Sequence, residues 1–260
     1  MHTLSELQPL LKSLRLSGIA EYLPQRNQEA IASKMGFMDF LSMVLQDEIL
    51  RREQNKFDSL FKKSGVKGNK TLEKFNFSFN PKINQQQIKE VAHGRFIDEK
   101  VSVLIVGPCG TGKSHLAQAM GHCALRRGIP SLFLTQTQLI TMLQTSKIVG
   151  NYDKKMRALV KIPLLIIDDF GLKPLRSPQD EDFHELIAQR YEEAATIITS
   201  NLDFSEWGDA FPNKLLGAAT LDRLGHAAYK IILEGRSFRA ENSSNRKKNE
   251  GVEFEGKSTI

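Results

Sequence analysis

Residues Val101 to Ser114 read VSVLIVGPCGTGKS, and the rest of the chain can be placed from them. Val101, Val103, Leu104, Ile105 and Val106 form a short apolar run rich in β-branched residues, the pattern of a strand buried on both faces. The run stops at Gly107. From there Gly107, Pro108, Cys109, Gly110, Thr111, Gly112, Lys113 and Ser114 fit the spacing G-x-x-x-x-G-K-[ST] at every fixed position. A helix-compatible segment follows from His115 to Arg127. Strand, glycine loop and helix in that order suit a polyphosphate. Glycines let the backbone wrap so that successive N–H groups point inward, and the helix start adds free N–H groups and the positive end of its dipole. Lys113 is then expected to reach the β- and γ-phosphates and Ser114 to ligate Mg²⁺, with His115 completing the nucleotide-binding set. Cys109 reads as a small filler of the loop, since nothing near it in sequence would activate a thiol.

The chain has 260 residues, enough for one α/β domain and a small appendage. Two cysteines, Cys109 and Cys123, do not make a disulfide framework, so a reducing, cytoplasmic setting is expected. No apolar run approaches membrane-span length, and no signal-peptide core is expected at the start. The net charge of +6 favours polyanionic partners, although basic soluble proteins are common.

Residues 1–66 read as a small, all-helical amino-terminal domain for partner or DNA interaction. Thr3 to Glu6 form a capping-box pattern, Leu4, Leu7, Leu11 and Leu14 fall on one helical face, and Gly18 is the expected stop. A second helix is expected from Phe37 to Lys63, with Gly65 ending it. Its basic face carries Arg51, Arg52 and Lys56, followed by Lys62 and Lys63. Two readings stand for it: a surface for DNA phosphates, or a solvated face diluted by Glu48, Glu53 and Asp58. Residues 67–98 are expected to be a linker and a leading helix, Ile83–Phe96. Phe75, Phe77 and Phe79 alternate as in a half-buried extended strand, and pinning the linker to the domain behind it is favoured over base stacking.

Four later apolar runs, Ser131–Thr135, Leu164–Ile167, Thr196–Thr199 and Tyr229–Leu233, alternate with helical segments, which implies a mostly parallel sheet of five strands covered on both faces. Leu164 to Asp169 (LLIIDD) delivers acidic groups at a strand's carboxyl end, where ligands bind in such sheets. Asp168 suits Mg²⁺, and Asp169 could orient and deprotonate an attacking water. An acidic turn after a strand is the plain alternative, and the preceding phosphate loop weighs against it. Asn201 ends a third strand and could contact the γ-phosphate or simply occupy a turn. Arg223, in the segment Leu221–Leu224 (LDRL), could serve a neighbouring subunit's γ-phosphate or pair with a nearby acid. Arg239 is a further phosphate-sensor candidate.

These motifs together resemble the IstB/DnaC-like branch of the AAA+ ATPases, and IstB-type transposition helpers more closely than helicase loaders. The resemblance runs from Leu4 to Arg239. It is carried by Phe75–Pro81, GRFI at Gly94–Ile97, the phosphate loop, LLIIDDFG, TSNLDFSEWG at Thr199–Gly208, LDRL, and GRSFR at Gly235–Arg239. The serine-tryptophan block around Trp207 followed by LDRL is the selective part, since many ATPases share the phosphate motifs. The resemblance implies an AAA+ P-loop domain over residues 99–240 without a large carboxyl-terminal lid. It implies ATP and Mg²⁺ as cofactors, ATP shared between subunits of a homo-oligomer, duplex DNA and a partner transposase as partners, and no membrane. It makes Asn201 the sensor and Arg223 the finger in trans. The usual acid after the metal Asp is Glu. Asp169 is one methylene shorter, so slow, DNA-stimulated hydrolysis is expected. The resemblance also places a DNA-facing helix within Thr137–Lys161, which carries Lys147, Lys154, Lys155, Arg157 and Lys161. Residues 241–260 are polar and expected to be disordered. The rival readings are a replicative helicase loader, a nucleotide-gated DNA scaffold with little turnover, and a small-molecule P-loop kinase. The absence of an Arg-rich lid pattern and the Asn201 strand argue against the last.

Overall fold

The structure, a computed structural model, describes residues 4–79 and 83–238. The chain divides into two compact units, Met1–Lys62 and Lys63–Ile260.

The first unit is helical: α1 (Leu4–Ser13), α2 (Ser17–Ser33) and most of α3 (Phe37–Ser64). Gly18 does not end a helix, as its sequence suggested; it lies in the first turn of α2. The reason is steric. A Cβ on Gly18 would stand 2.8 Å from Arg51 Cβ, Asp47 O and Glu48 Cα, so the missing side chain is what lets α2 lie close against α3. The α2 helix itself is poorly marked in the sequence, with Gly18 and Pro24 inside it.

The second unit is built on a five-stranded sheet: β1 (Val103–Val106), β2 (Ser131–Thr135), β3 (Leu164–Phe170), β4 (Ala195–Ser200) and β5 (Tyr229–Ile232), in the order β2-β3-β4-β1-β5. Every pairing is parallel. The central strands β1 and β4 are buried along their whole length, as apolar runs covered on both faces must be. Side-chain alternation splits the core. Val103, Ile105, Ile166 and Ile197 face one layer, formed by α4 (Gln85–Ala92), α5 (Arg95–Asp98) and α6 (Lys113–Arg126). Leu104, Val106, Leu165, Ile167 and Ile198 face the other, formed by α7 (Gln136–Ile148), α8 (Tyr152–Lys161), α9 (Gln179–Arg190) and α10 (Lys214–Gly225). Trp207 is buried in that second layer against Phe170 and Phe204, with Nε1 donating to the Leu202 carbonyl at 3.2 Å. It is a packing residue.

Two further expectations change. The helix expected over Ile83–Phe96 is two helices, α4 and α5, separated by a left-handed turn at Gly94 (φ +82°). The expected extended strand through Phe75–Phe79 is instead a short 3-10 turn, Phe77–Phe79. Asn76 Oδ1 accepts the Phe79 N–H at 3.2 Å and closes that turn, while Phe75 enters the core beside Leu116 and Met120. The segment is pinned to the domain, as favoured, by a different backbone. Residues 1–3, 80–82 and 239–260 lie outside the described residues, and with them Thr3 of the expected capping box and the expected disordered tail, 241–260.

Candidate functional site

The site lies at the carboxyl ends of β1, β3 and β4. β1 runs straight into the phosphate loop, and Gly112 caps the start of α6 in a left-handed conformation, φ +103°. Gly110 (φ +83°) has little choice of side chain, because a Cβ there would lie 2.1 Å from Ser237 Oγ. The chain after β5 folds back over the loop, and the Phe238 N–H donates to the Gly110 carbonyl at 3.1 Å. The Lys113 ammonium donates to the carbonyls of Gly107 at 2.7 Å and Pro108 at 2.8 Å, which fixes it over the loop's concave side. Thr111 donates to the Pro108 carbonyl at 2.9 Å. Cys109 is exposed. His115 Nε2–H donates to the Thr71 carbonyl at 2.9 Å, and its ring meets Phe75 edge-on. Burial holds His115 below the usual imidazole range, against the opposing pull of that carbonyl. So His115 ties α6 to residues 71–75.

Asp168 is buried at the end of β3. Burial raises its pKa, while hydrogen bonds from Thr199 and Ser114 pull the other way. Ser114 and Asp168 thus stand in contact, a pair of hard oxygen donors of the kind Mg²⁺ takes alongside phosphate oxygens. Asp169 follows in a left-handed conformation, φ +57°. Thr199 Oγ1 accepts its N–H at 3.1 Å and donates to the Asp168 carboxylate.

Gly110 to His115, Asp168, Asp169 and Asn201 all line one cavity of about 750 Å³. Lys67, Lys70 and Lys74 share its wall with Phe75, Phe79 and Phe238. The cavity is large enough for a nucleoside triphosphate, and its lining combines cationic and N–H groups with carboxylates and aromatic rings. Lys67–Lys74, Phe238 and Thr199 were not singled out for this site from sequence. Only the β3 and β4 registers bring Thr199 beside the acids, and only the return of the chain after β5 brings Phe238 to the loop.

Other candidates lie elsewhere. Arg223, on α10, donates to the Ala219 carbonyl at 2.9 Å and borders Lys100–Ser102 and Thr196, at the amino ends of β1 and β4. That is the end of the sheet opposite the phosphate loop. Arg239 lies outside the described residues. Arg51, Arg52 and Lys56 lie on α3. Arg51 pairs with Glu21 at 3.3 Å and Arg52 with Glu48 at 2.7 Å. On the α7–α8 pair, Lys147 binds Asp182 at 2.5 Å and sits over the Tyr152 ring. Lys154, Arg157 and Lys161 are exposed along one face of α8, and Lys155 is half-buried.

The chain is similar to several known proteins. The chain is 33% identical over 234 residues, 90% of its length and 88% of the relative's, to a Pseudomonas aeruginosa protein described as an ATP-binding protein of insertion sequence IS21. It is 35% identical over 225 residues, 86% of its length and 87% of the relative's, to the corresponding protein of insertion sequence IS5376 from Geobacillus stearothermophilus. Among solved structures, the DnaC helicase loader superposes with a TM-score of 0.56 at 23% identity, covering 64% of this chain and 97% of that one. The replication initiator DnaA bound to AMPPCP and single-stranded DNA also gives 0.56, at 20% identity, covering 66% and 52%. These two show the AAA+ fold. A family model described as IstB-like ATP binding protein matches residues 9–246, and the chain belongs to that family.

Proposed function

We propose that the protein is an ATP-dependent DNA-binding regulator that assembles on duplex DNA and assists or recruits the transposase of an insertion sequence. ATP binding follows from the family. Hydrolysis, assembly, DNA binding and the transposase partner complete the proposal. The insertion-sequence relatives support the last of these, and the transposase is the partner whose chemistry such an element needs.

The observation that carries the reading is the separation of Arg223 from the phosphate loop. One end of the sheet presents a complete floor for a triphosphate: Lys113, Ser114, Asp168, Asp169 and Asn201 on one cavity. The cation suited to the γ-phosphate lies at the other end of the same sheet. A chain with this layout completes its site with a second copy, so that bound ATP joins subunits. Ser114 and Asp168 would hold Mg²⁺, which neutralises charge on the β- and γ-phosphates when bound. Asp169 orients and deprotonates the attacking water, and Asn201 holds the γ-phosphate or that water. Hydrolysis then loosens the joint. The exposed cations of α8 contact the phosphodiester backbone, which gives affinity with little base preference.

Sedimentation of the purified protein with and without ATP and duplex DNA tests this. The expected result is a large particle that requires both. A monomer under every condition overturns the reading, and so does full assembly by Lys113→Ala.

A further inference from the structure

β3 and β4 lose step at the acidic pair. Ile167 lies opposite Ile198, and Phe170 lies opposite Ser200. Two residues of β3, Asp168 and Asp169, therefore face one residue of β4, Thr199. This is a bulge, with Asp169 left-handed at φ +57°. In a regular strand neighbouring side chains point to opposite faces, and two consecutive acids could not serve one site. Here both line the same cavity.

The bulge removes a regular ladder bond, and hydroxyl groups of β4 replace it. The Thr199 hydroxyl accepts the Asp169 N–H and donates to the Asp168 carboxylate. Ser200 Oγ donates to the Phe170 carbonyl at 2.7 Å. Thr199 is fully buried, does not line the cavity and touches both acids. One oxygen sets the direction of the Asp168 carboxylate and the backbone twist that aims Asp169.

We propose that Thr199 is a positioning residue for ATP hydrolysis, holding the metal-binding and water-activating carboxylates in one cavity through a single hydroxyl. The proposal rests on the ATPase reading above. A left-handed aspartate is strained, and side-chain hydrogen bonding to its backbone is what sustains it. Misaiming a catalytic group by about 1 Å can cost on the order of 100-fold in rate.

The test compares Thr199→Ser with Thr199→Val. Serine keeps the hydroxyl and loses a methyl, whereas valine keeps the volume and loses the hydroxyl. The expected result is turnover in Thr199→Ser within about threefold of wild type, and a fall of about 10- to 100-fold in Thr199→Val. ATP affinity without Mg²⁺, read with a fluorescent nucleotide, should be unchanged in both. The Mg²⁺ concentration that half-saturates ATP binding should rise in Thr199→Val alone. A packing role gives the opposite order, with valine at or above serine, and overturns the proposal. If Thr199→Val fails to fold, Thr199→Ala is compared with Thr199→Ser, and equal turnover in those two overturns it. A wild type that binds ATP without any turnover overturns the ATPase reading and this proposal with it, whereas turnover that ignores the hydroxyl overturns this proposal alone.

Discussion

The backbone N–H of Phe238 donates to the carbonyl of Gly110 at 3.1 Å, so the segment after the last strand braces the phosphate loop. Gly110→Ala puts a methyl group where Ser237 Oγ lies and forces a side chain into a left-handed turn. It should weaken ATP binding at least tenfold while the second unit stays folded. Equilibrium titration with a fluorescent nucleotide, with a thermal melt as control, measures this. Gly110→Ala combined with Ser237→Gly should recover part of the loss.

Asp169 has a backbone reason to be Asp. Asn and Asp are enriched among non-glycine residues in the left-handed conformation that Asp169 adopts, because their short polar chains tolerate it. Asp169→Asn should keep the fold and ATP affinity and lower turnover by about 100-fold or more, in the range for loss of a general base. Asp169→Glu should turn over faster through its longer reach, and should melt earlier because of about 1 kcal/mol of backbone strain. A Glu variant as slow as wild type, or slower, counts against reach as the limit on rate.

The lysines of the α7–α8 pair should not all behave alike. Charge reversal at Lys154 and Lys155 should weaken binding to duplex DNA and flatten its salt dependence. Lys147 is engaged by Asp182 and stacked on Tyr152, whose hydroxyl also bonds Asp182 and Glu185. Lys147→Ala should change the melting temperature more than the salt slope. Filter binding over a range of salt concentrations separates the two.

Arg190 is buried and, among the described residues, has no carboxylate partner. It donates to Thr196 Oγ1 and to the carbonyls of Leu159, Val160, Ile162 and Ala195, tying the end of α8 to the start of β4. No lysine can supply five such donors. Arg190→Lys should cost roughly 2–4 kcal/mol, as several buried acceptors lose their partners. Denaturant unfolding gives the value, and a loss below 1 kcal/mol, the scale of one ordinary hydrogen bond, contradicts it.

Acid should loosen the first unit. Arg26 holds Asp47 through two bonds, Nε at 2.8 Å and Nη2 at 2.9 Å, and keeps that carboxyl below its usual range. Burial pushes the Glu48 carboxyl up, but Arg52 and the N–H groups of Gly18 and Ile19 outweigh it and hold it down. Both groups have lower pKa values folded than unfolded. Their contribution is complete above the unfolded carboxylate range, about pH 4–5, and is lost as pH falls through the folded values. Helical circular dichroism should decline below about pH 4, and Glu48→Gln should already be less stable at pH 7 and less sensitive to the fall.

The sheet, the phosphate loop and Asp168 were legible because each is written in a local pattern: an apolar run, fixed glycines, an acid at a strand end. The strand order was not legible, because β1 lies between β4 and β5 rather than beside its neighbour in the chain. Thr199 was not legible, since its partners lie 30 and 31 positions away in sequence and meet it only through a slipped register. The second helix was hidden for another reason. Gly18 read as the stop of the helix before it, and the contact that makes the glycine useful is with α3. At Phe75–Phe79 the alternation was real, but Asn76 redirected the backbone.

If ATP joins copies as proposed, the placement of Arg223 and the phosphate loop at opposite ends of one sheet makes them add in a single direction. Each array then has two unlike tips, one offering an unmet guanidinium and the other an unfinished nucleotide seat. Doping in Arg223→Ala copies should poison growth at one tip and leave the other open, so a small fraction of them would shorten arrays far beyond simple dilution.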